Sequence, residues 1–235
     1  RGSSMLCRLC LACPWRQSDP MEGESPGAVQ EASASAASTD ASPGSGGSGP
    51  AVIFFDFDST LTIPQYIQRA QRHALADNPR LFLSMSEDEV FANFGGRERV
   101  KRLAAMLQCL RLRGVELFIV SLGFAEAIRA HLGIAGLASF FQADNIFGQD
   151  SPSLAAVRHR KAWLVTRLLE RNGWPPERAL FVDDDERHIS LCKKLQACPY
   201  LHVRGHGLCE AEIQAIEAWA GGGPEKAEAE GGAAA

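Results

Sequence analysis

The stretch AVIFFDFDSTLTIP, residues 51–64, decides how the rest of the chain is read. Four apolar residues, Val52 to Phe55, run without a break into Asp56 and Asp58, which only Phe57 separates. A short continuous apolar run describes a strand buried on both faces, the kind found in parallel sheets covered by helices. Two carboxylates at its end repel each other and lose hydration on burial, so their placement there calls for a chemical reason.

Outward from this strand, three further runs have the same character: VELFIV (115–120), ALFV (179–182) and YLHV (200–203), with a weaker candidate at Ala143 to Phe147. Helical spacings lie between them. Val100, Leu103, Leu107 and Leu110 keep to one face up to Gly114, and Leu164, Val165, Leu168 and Leu169 mark a second helix closed by Asn172-Gly173. Strands alternating with helices predict an α/β fold with a mainly parallel sheet. In such folds ligands sit at the carboxyl ends of the strands.

Composition sets outer limits. The 235 residues are 46% apolar and 22% charged, which suits a globular protein of one ordinary domain with an insertion. A net charge of -4, from 24 basic and 28 acidic residues, offers no basic excess for binding a phosphate backbone, and no nucleic-acid partner is expected. No apolar run reaches the roughly 18 residues of a membrane span, so no membrane partner is expected either. The expected location is intracellular, in the cytoplasm, with an N-terminal targeting signal as the open alternative.

Residues 1–50, rich in Ser, Ala, Gly and Pro from about Gln17, read as a disordered low-complexity leader, and 221–235 as a tail of the same kind. The folded unit is expected over 51–220. Cys7, Cys10 and Cys13 form C-x-x-C-x-x-C, but no second Cys/His pair nearby completes a zinc site, and they are assigned to the leader. Cys109, Cys192, Cys198 and Cys209 read as free thiols.

The residues that follow each predicted strand carry the chemistry. Asp56, Asp58 and Thr60 follow the first, Ser121 the second, and Asp183, Asp184 and Asp185 the third, while Lys161 begins the helix that leads into the third. Taken singly, each has an ordinary structural reading: a serine caps a turn, aspartates favour a helix N-terminus such as that of ERHISLCKKL, and a lysine is solvated. At one sheet edge, however, clustered carboxylates need a cation. Hard oxygen ligands suit Mg²⁺, which takes one or two carboxylates, several waters and phosphate oxygens. A lysine and a hydroxyl beside it supply donors for a phosphoryl group, so the residue types suggest metal-assisted phosphoryl transfer.

Asp56-Phe57-Asp58-Ser59-Thr60-Leu61 resembles the first motif, DxDx[TV]L, of the haloacid dehalogenase-like hydrolase superfamily. Ser121 at the end of LFIVS is similar to its second-motif serine, Lys161 to its third-motif lysine, and LFVDDD to its acidic fourth motif in a double-aspartate form. The resemblance covers about residues 51–203. It implies a Rossmann-like three-layer α/β/α sandwich with a small helical cap inserted at about 64–96. It also implies a Mg²⁺-dependent phosphatase in which Asp56 attacks phosphorus to form an aspartyl-phosphate and Asp58 acts as acid and base. In the same reading Ser121, Lys161 and Thr60 bind the phosphoryl group. Asp56, the Asp58 carbonyl and Asp183 ligate the metal, and Asp184 or, less favoured, Asp185 holds a metal-bound water.

A small cap leaves the site open to either a phosphorylated small molecule or a phosphoprotein. Phe82, Phe91 and Phe94, inside the insertion, either line a substrate wall or pack the insertion's own core. A phosphotransferase or phosphomutase is the nearest enzymatic alternative, and a catalytically silent binding module on the same fold is the alternative of another class.

Overall fold

The computed structural model describes residues 51–222. The apolar run after Ala51 forms β1 (Val52–Phe55), in which every residue is fully buried. It pairs in parallel with β2 (Glu116–Val120) on one side and β4 (Ala179–Asp183) on the other. β3 (Ile146–Phe147) extends the sheet beyond β2 and β5 (Tyr200–His202) beyond β4, giving a five-stranded, all-parallel sheet in the order β3-β2-β1-β4-β5. β3 is shorter than the run from Ala143 suggested. Ala143–Asn145 form a tight turn instead, and the Asn145 side chain donates to the Leu117 carbonyl of β2 at 3.3 Å.

Alternation along the strands divides the core into two layers. Ile53 and Phe55 point to the side packed by α4 (Arg97–Leu112), α5 (Ala125–Ile134) and α9 (Glu210–Gly222). Val52 and Phe54 point to the side packed by α6 (Pro152–Ala155), α7 (Lys161–Asn172) and α8 (Glu186–Leu195). The chain is thus an α/β/α sandwich of three layers. α9 ends at Gly222, slightly past the boundary drawn at 220, whereas the leader with Cys7, Cys10 and Cys13, and the tail beyond Gly222, lie outside the described residues.

The segment 64–96 holds α1 (Pro64–Ala70), α2 (Asn78–Leu83) and α3 (Glu87–Asn93), the last begun by a capping box between Ser86 and Glu89. Neither of the two readings of its phenylalanines holds. Phe82 and Phe94 enter the same core as β1, where Phe57 meets Tyr66 and Phe94 edge-on and Tyr66 stacks on Phe82 at 4.2 Å. Phe91 is partly buried under the Arg97 guanidinium, 3.9 Å from its ring centroid. Three helices this short have too little apolar surface to form a core alone, so they share that of the sheet.

β1 is the strand at which the sheet's order reverses. The chain moves from β1 to β2 on one side, and β4 then enters on the other. Ligands of open α/β sheets bind at such a switch point, here the carboxyl ends of β1 and β4.

Candidate active site

Asp56 continues β1 by one residue, its N–H donating to the Val182 carbonyl at 2.8 Å, and Asp183 ends β4 beside it. Strand pairing therefore fixes the backbone of both. Their carboxylates and that of Asp184 have oxygens within 4.8 Å of one another. Lys161, the first residue of α7 and only 2% exposed, lies between two of them, with Nζ 2.8 Å from Asp56 Oδ1 and 2.8 Å from Asp183 Oδ2. The contact with Asp183 is a hydrogen bond, and that with Asp56 an ion pair at the same distance.

Electrostatics follow from this burial. Burial disfavours the Lys161 ammonium, but Asp183 and Asp56 outweigh it and hold its pKa above the ordinary lysine range. Burial raises the pKa of both Asp56 and Asp183, against the pull of Lys161. Burial and then the Asp56 and Asp183 charges push Asp184 up to about 9. When all three carboxyls are ionised, they face one ammonium and leave two negative charges in excess. A divalent cation with hard oxygen preferences fits that charge and that donor set.

Asp58 is held apart from this group. After Asp56 the chain makes a tight turn through Leu61, with Ser59 in the left-handed region at φ 62°. Thr62 ties the turn. Its hydroxyl donates to the Phe57 carbonyl at 3.0 Å and accepts from the Ser59 N–H at 3.2 Å. The turn carries Phe57 into the core and sends the Asp58 carboxylate toward β2, where it stands beside the Ser121 hydroxyl. A Cβ on Gly123 would lie 3.2 Å from Asp58 Oδ2, so the lack of a side chain there gives the carboxylate room. Burial first, and the Asp56 charge second, raise the Asp58 pKa to about 7.

Ser121 is fully buried, and its Oγ accepts from the Gly123 N–H at 3.2 Å. Thr60 is fully buried as well, with a hydroxyl that has no protein partner. The three aspartates at the end of β4 separate into different tasks. Asp183 Oδ1 accepts from the Asp185 N–H, Asp184 faces Asp56, and Asp185 caps α8 by accepting from the Arg187 N–H and pairing with its guanidinium. Asp184 is thus the one of the pair that joins the carboxylate cluster.

Two features escaped the sequence reading. Thr62 carries no motif, and its function in closing the turn depends on a contact five residues back. His188, on α8, has a buried Nε2 with no hydrogen-bond partner; burial, then the Lys161 charge, lowers its pKa to about 3, so the ring is neutral. A histidine inside an amphipathic helix gives no signal of such a setting.

The model of the haloacid dehalogenase-like hydrolase family matches residues 50–195. No curated protein matches the chain. Similar solved structures include a haloacid dehalogenase-like family hydrolase from Streptococcus pneumoniae, 18% identical, with 71% of this chain and 90% of that one aligned at a TM-score of 0.39. A HAD family hydrolase from Deinococcus radiodurans, solved with bound phosphate and sodium, is 20% identical over 71% of this chain and 88% of that one, with a TM-score of 0.39. A phosphoserine phosphohydrolase-like protein from Francisella tularensis is 16% identical over 65% and 86%, also at 0.39.

Proposed function

Because the chain belongs to the haloacid dehalogenase-like hydrolase family, we propose that it hydrolyses phosphomonoesters through a phosphoryl group carried transiently on Asp56. The observation that carries this reading is the division between two neighbouring carboxylates. Asp56 stands against the Lys161 cation, whereas Asp58 stands against the neutral Ser121 hydroxyl with a pKa of about 7. A pair of acids set in such different environments is suited to two different tasks.

Asp56 attacks phosphorus, and the bond to the ester oxygen breaks as Asp58 gives that oxygen its proton. Asp58, now charged, then takes a proton from the water that attacks the same phosphorus, and inorganic phosphate leaves with Asp56 restored. Lys161 and Ser121 donate to the phosphoryl oxygens, and Thr60 offers a hydroxyl with no competing protein partner. A divalent cation, with Mg²⁺ the expected one, would be held by Asp56, Asp183 and Asp184, and when bound it neutralises their excess charge and polarises the phosphoryl group. The substrate is a phosphomonoester borne by a small molecule or by a protein.

Release of inorganic phosphate from an aryl phosphate, with Mg²⁺ and with EDTA, tests the reading. Wild type is expected to turn over only with the cation, and Asp56→Asn to lose at least about a thousandfold in kcat. If Asp56→Asn keeps wild-type kcat, the covalent route is wrong. Transfer to an added alcohol in place of phosphate release would point to a phosphotransferase instead.

A further inference from the structure

Arg99, in the first turn of α4, directs its guanidinium into the space behind the Asp58 turn. Nη1 donates to the carbonyls of Leu61 at 2.6 Å and Phe94 at 2.8 Å, and Nη2 to those of Thr60 and Leu208, each at 3.2 Å. Four main-chain acceptors from three separate parts of the chain thus meet on one rigid fork. Hydrogen bonds from a charged donor are stronger than neutral ones, and the planar geometry leaves the acceptors little freedom. Among the described residues its hydrogen bonds go to the backbone, and the Glu212 charge acts on it only from beyond ion-pair distance.

The segment after β5 completes the arrangement. The Leu208 N–H donates to the Thr60 carbonyl at 2.9 Å, so that carbonyl has donors from both Arg99 and Leu208. Gly207 has φ +83°, and a Cβ there would stand 2.5 Å from both Arg99 Nη2 and the Thr62 carbonyl. Only glycine allows so close an approach in that conformation. Residues 204–209 lie past the stretch 50–195 matched by the family model, so this contact belongs to a part of the chain outside that match.

We propose that Arg99 is a positioning residue for the reaction: with Gly207 and Leu208 it pins the Thr60–Leu61 backbone, and through it holds Asp58 at the reacting centre. Asp58 lies two residues before Thr60, in a turn closed only by Thr62 on its other side. Without the fork, the Leu61 carbonyl loses its donor, the Thr60 carbonyl keeps only that of Leu208, and the turn relaxes toward water. Small displacements of an acid/base group reduce turnover much more than binding.

This inference rests on the phosphohydrolase reading, and the experiment separates the two. kcat and KM for an aryl phosphate with Mg²⁺ are measured for wild type, Arg99→Ala, Arg99→Met and Gly207→Ala, per folded molecule as counted by near-ultraviolet circular dichroism. Arg99→Met keeps the packing of the stem if the alanine variant does not fold. The folded Arg99 variants are expected to lose about 10- to 100-fold in kcat, with KM within about threefold of wild type. Guanidinium ion, added below denaturing concentration, should restore part of the Arg99→Ala rate and leave wild type unchanged. Folded Arg99 variants with wild-type kcat, or a loss explained wholly by unfolded protein and untouched by guanidinium, would overturn the inference while the phosphatase reading stands. An inactive wild type overturns the phosphatase reading and this one with it.

Discussion

Asp184 and Asp185 are adjacent in sequence and opposite in task. Asp184 meets the carboxylates of Asp56 and Asp183, whereas Asp185 closes the first turn of α8 and pairs with Arg187. Asp184→Ala is therefore expected to raise the Mg²⁺ concentration needed for half-maximal activity by about tenfold or more. Asp185→Ala removes an N-cap and should lower stability by about 1 kcal/mol with the metal requirement little changed. Metal titrations beside thermal melts of the two variants check this, and a reversed pattern would exchange the two roles. From sequence, three aspartates in a row announce acidity at a strand end. Which of them turns inward is set by the backbone where β4 gives way to α8.

At the scale of elements, the three central strands read from their own runs of apolar residues, because burial on both faces demands such a run, whereas β5 at the edge is partly exposed. The insertion is different. Its helices are short and amphipathic, and nothing local says whether they pack on one another or on the sheet. The structure places Phe82 against Tyr66 and His131, continuous with Phe57 and Phe94 in the core under β1. Phe82→Ala should thus cost the whole domain about 3–5 kcal/mol, in a single unfolding transition. Calorimetry showing a separate, early transition with the main one unmoved would mean that the insertion folds as a unit of its own.

For the whole molecule, the carboxylates gathered at the switch point make stability depend on pH. In the folded chain Asp58 titrates at about 7 and Asp184 at about 9, while Asp56 and Asp183 are also raised, mainly by burial. A carboxyl that holds its proton more tightly when folded stabilises the fold below its unfolded pKa, and that contribution disappears as pH rises through the folded value. Without metal, the melting temperature should fall from about pH 5 to about pH 9. Mg²⁺ should raise it most at the alkaline end, where the carboxylates are charged. Melts in EDTA and in Mg²⁺ across this range test the point, and parallel curves would deny the cluster a cation.

The sequence alone determined the α/β class, the four main strands and the carboxylates at their ends, because hydrophobic runs and motif spacing are local properties written in consecutive residues. Tertiary structure decided the rest: Thr62 and Arg99 as holders of the Asp58 turn, the neutral His188, and the shared core of the insertion. Arg99 and Leu208 are 109 positions apart, and their contact exists only because the sheet brings α4 and the segment after β5 to the same turn. A hydrogen bond between groups that distant is fixed by where the backbone passes, and no spacing along the chain encodes it.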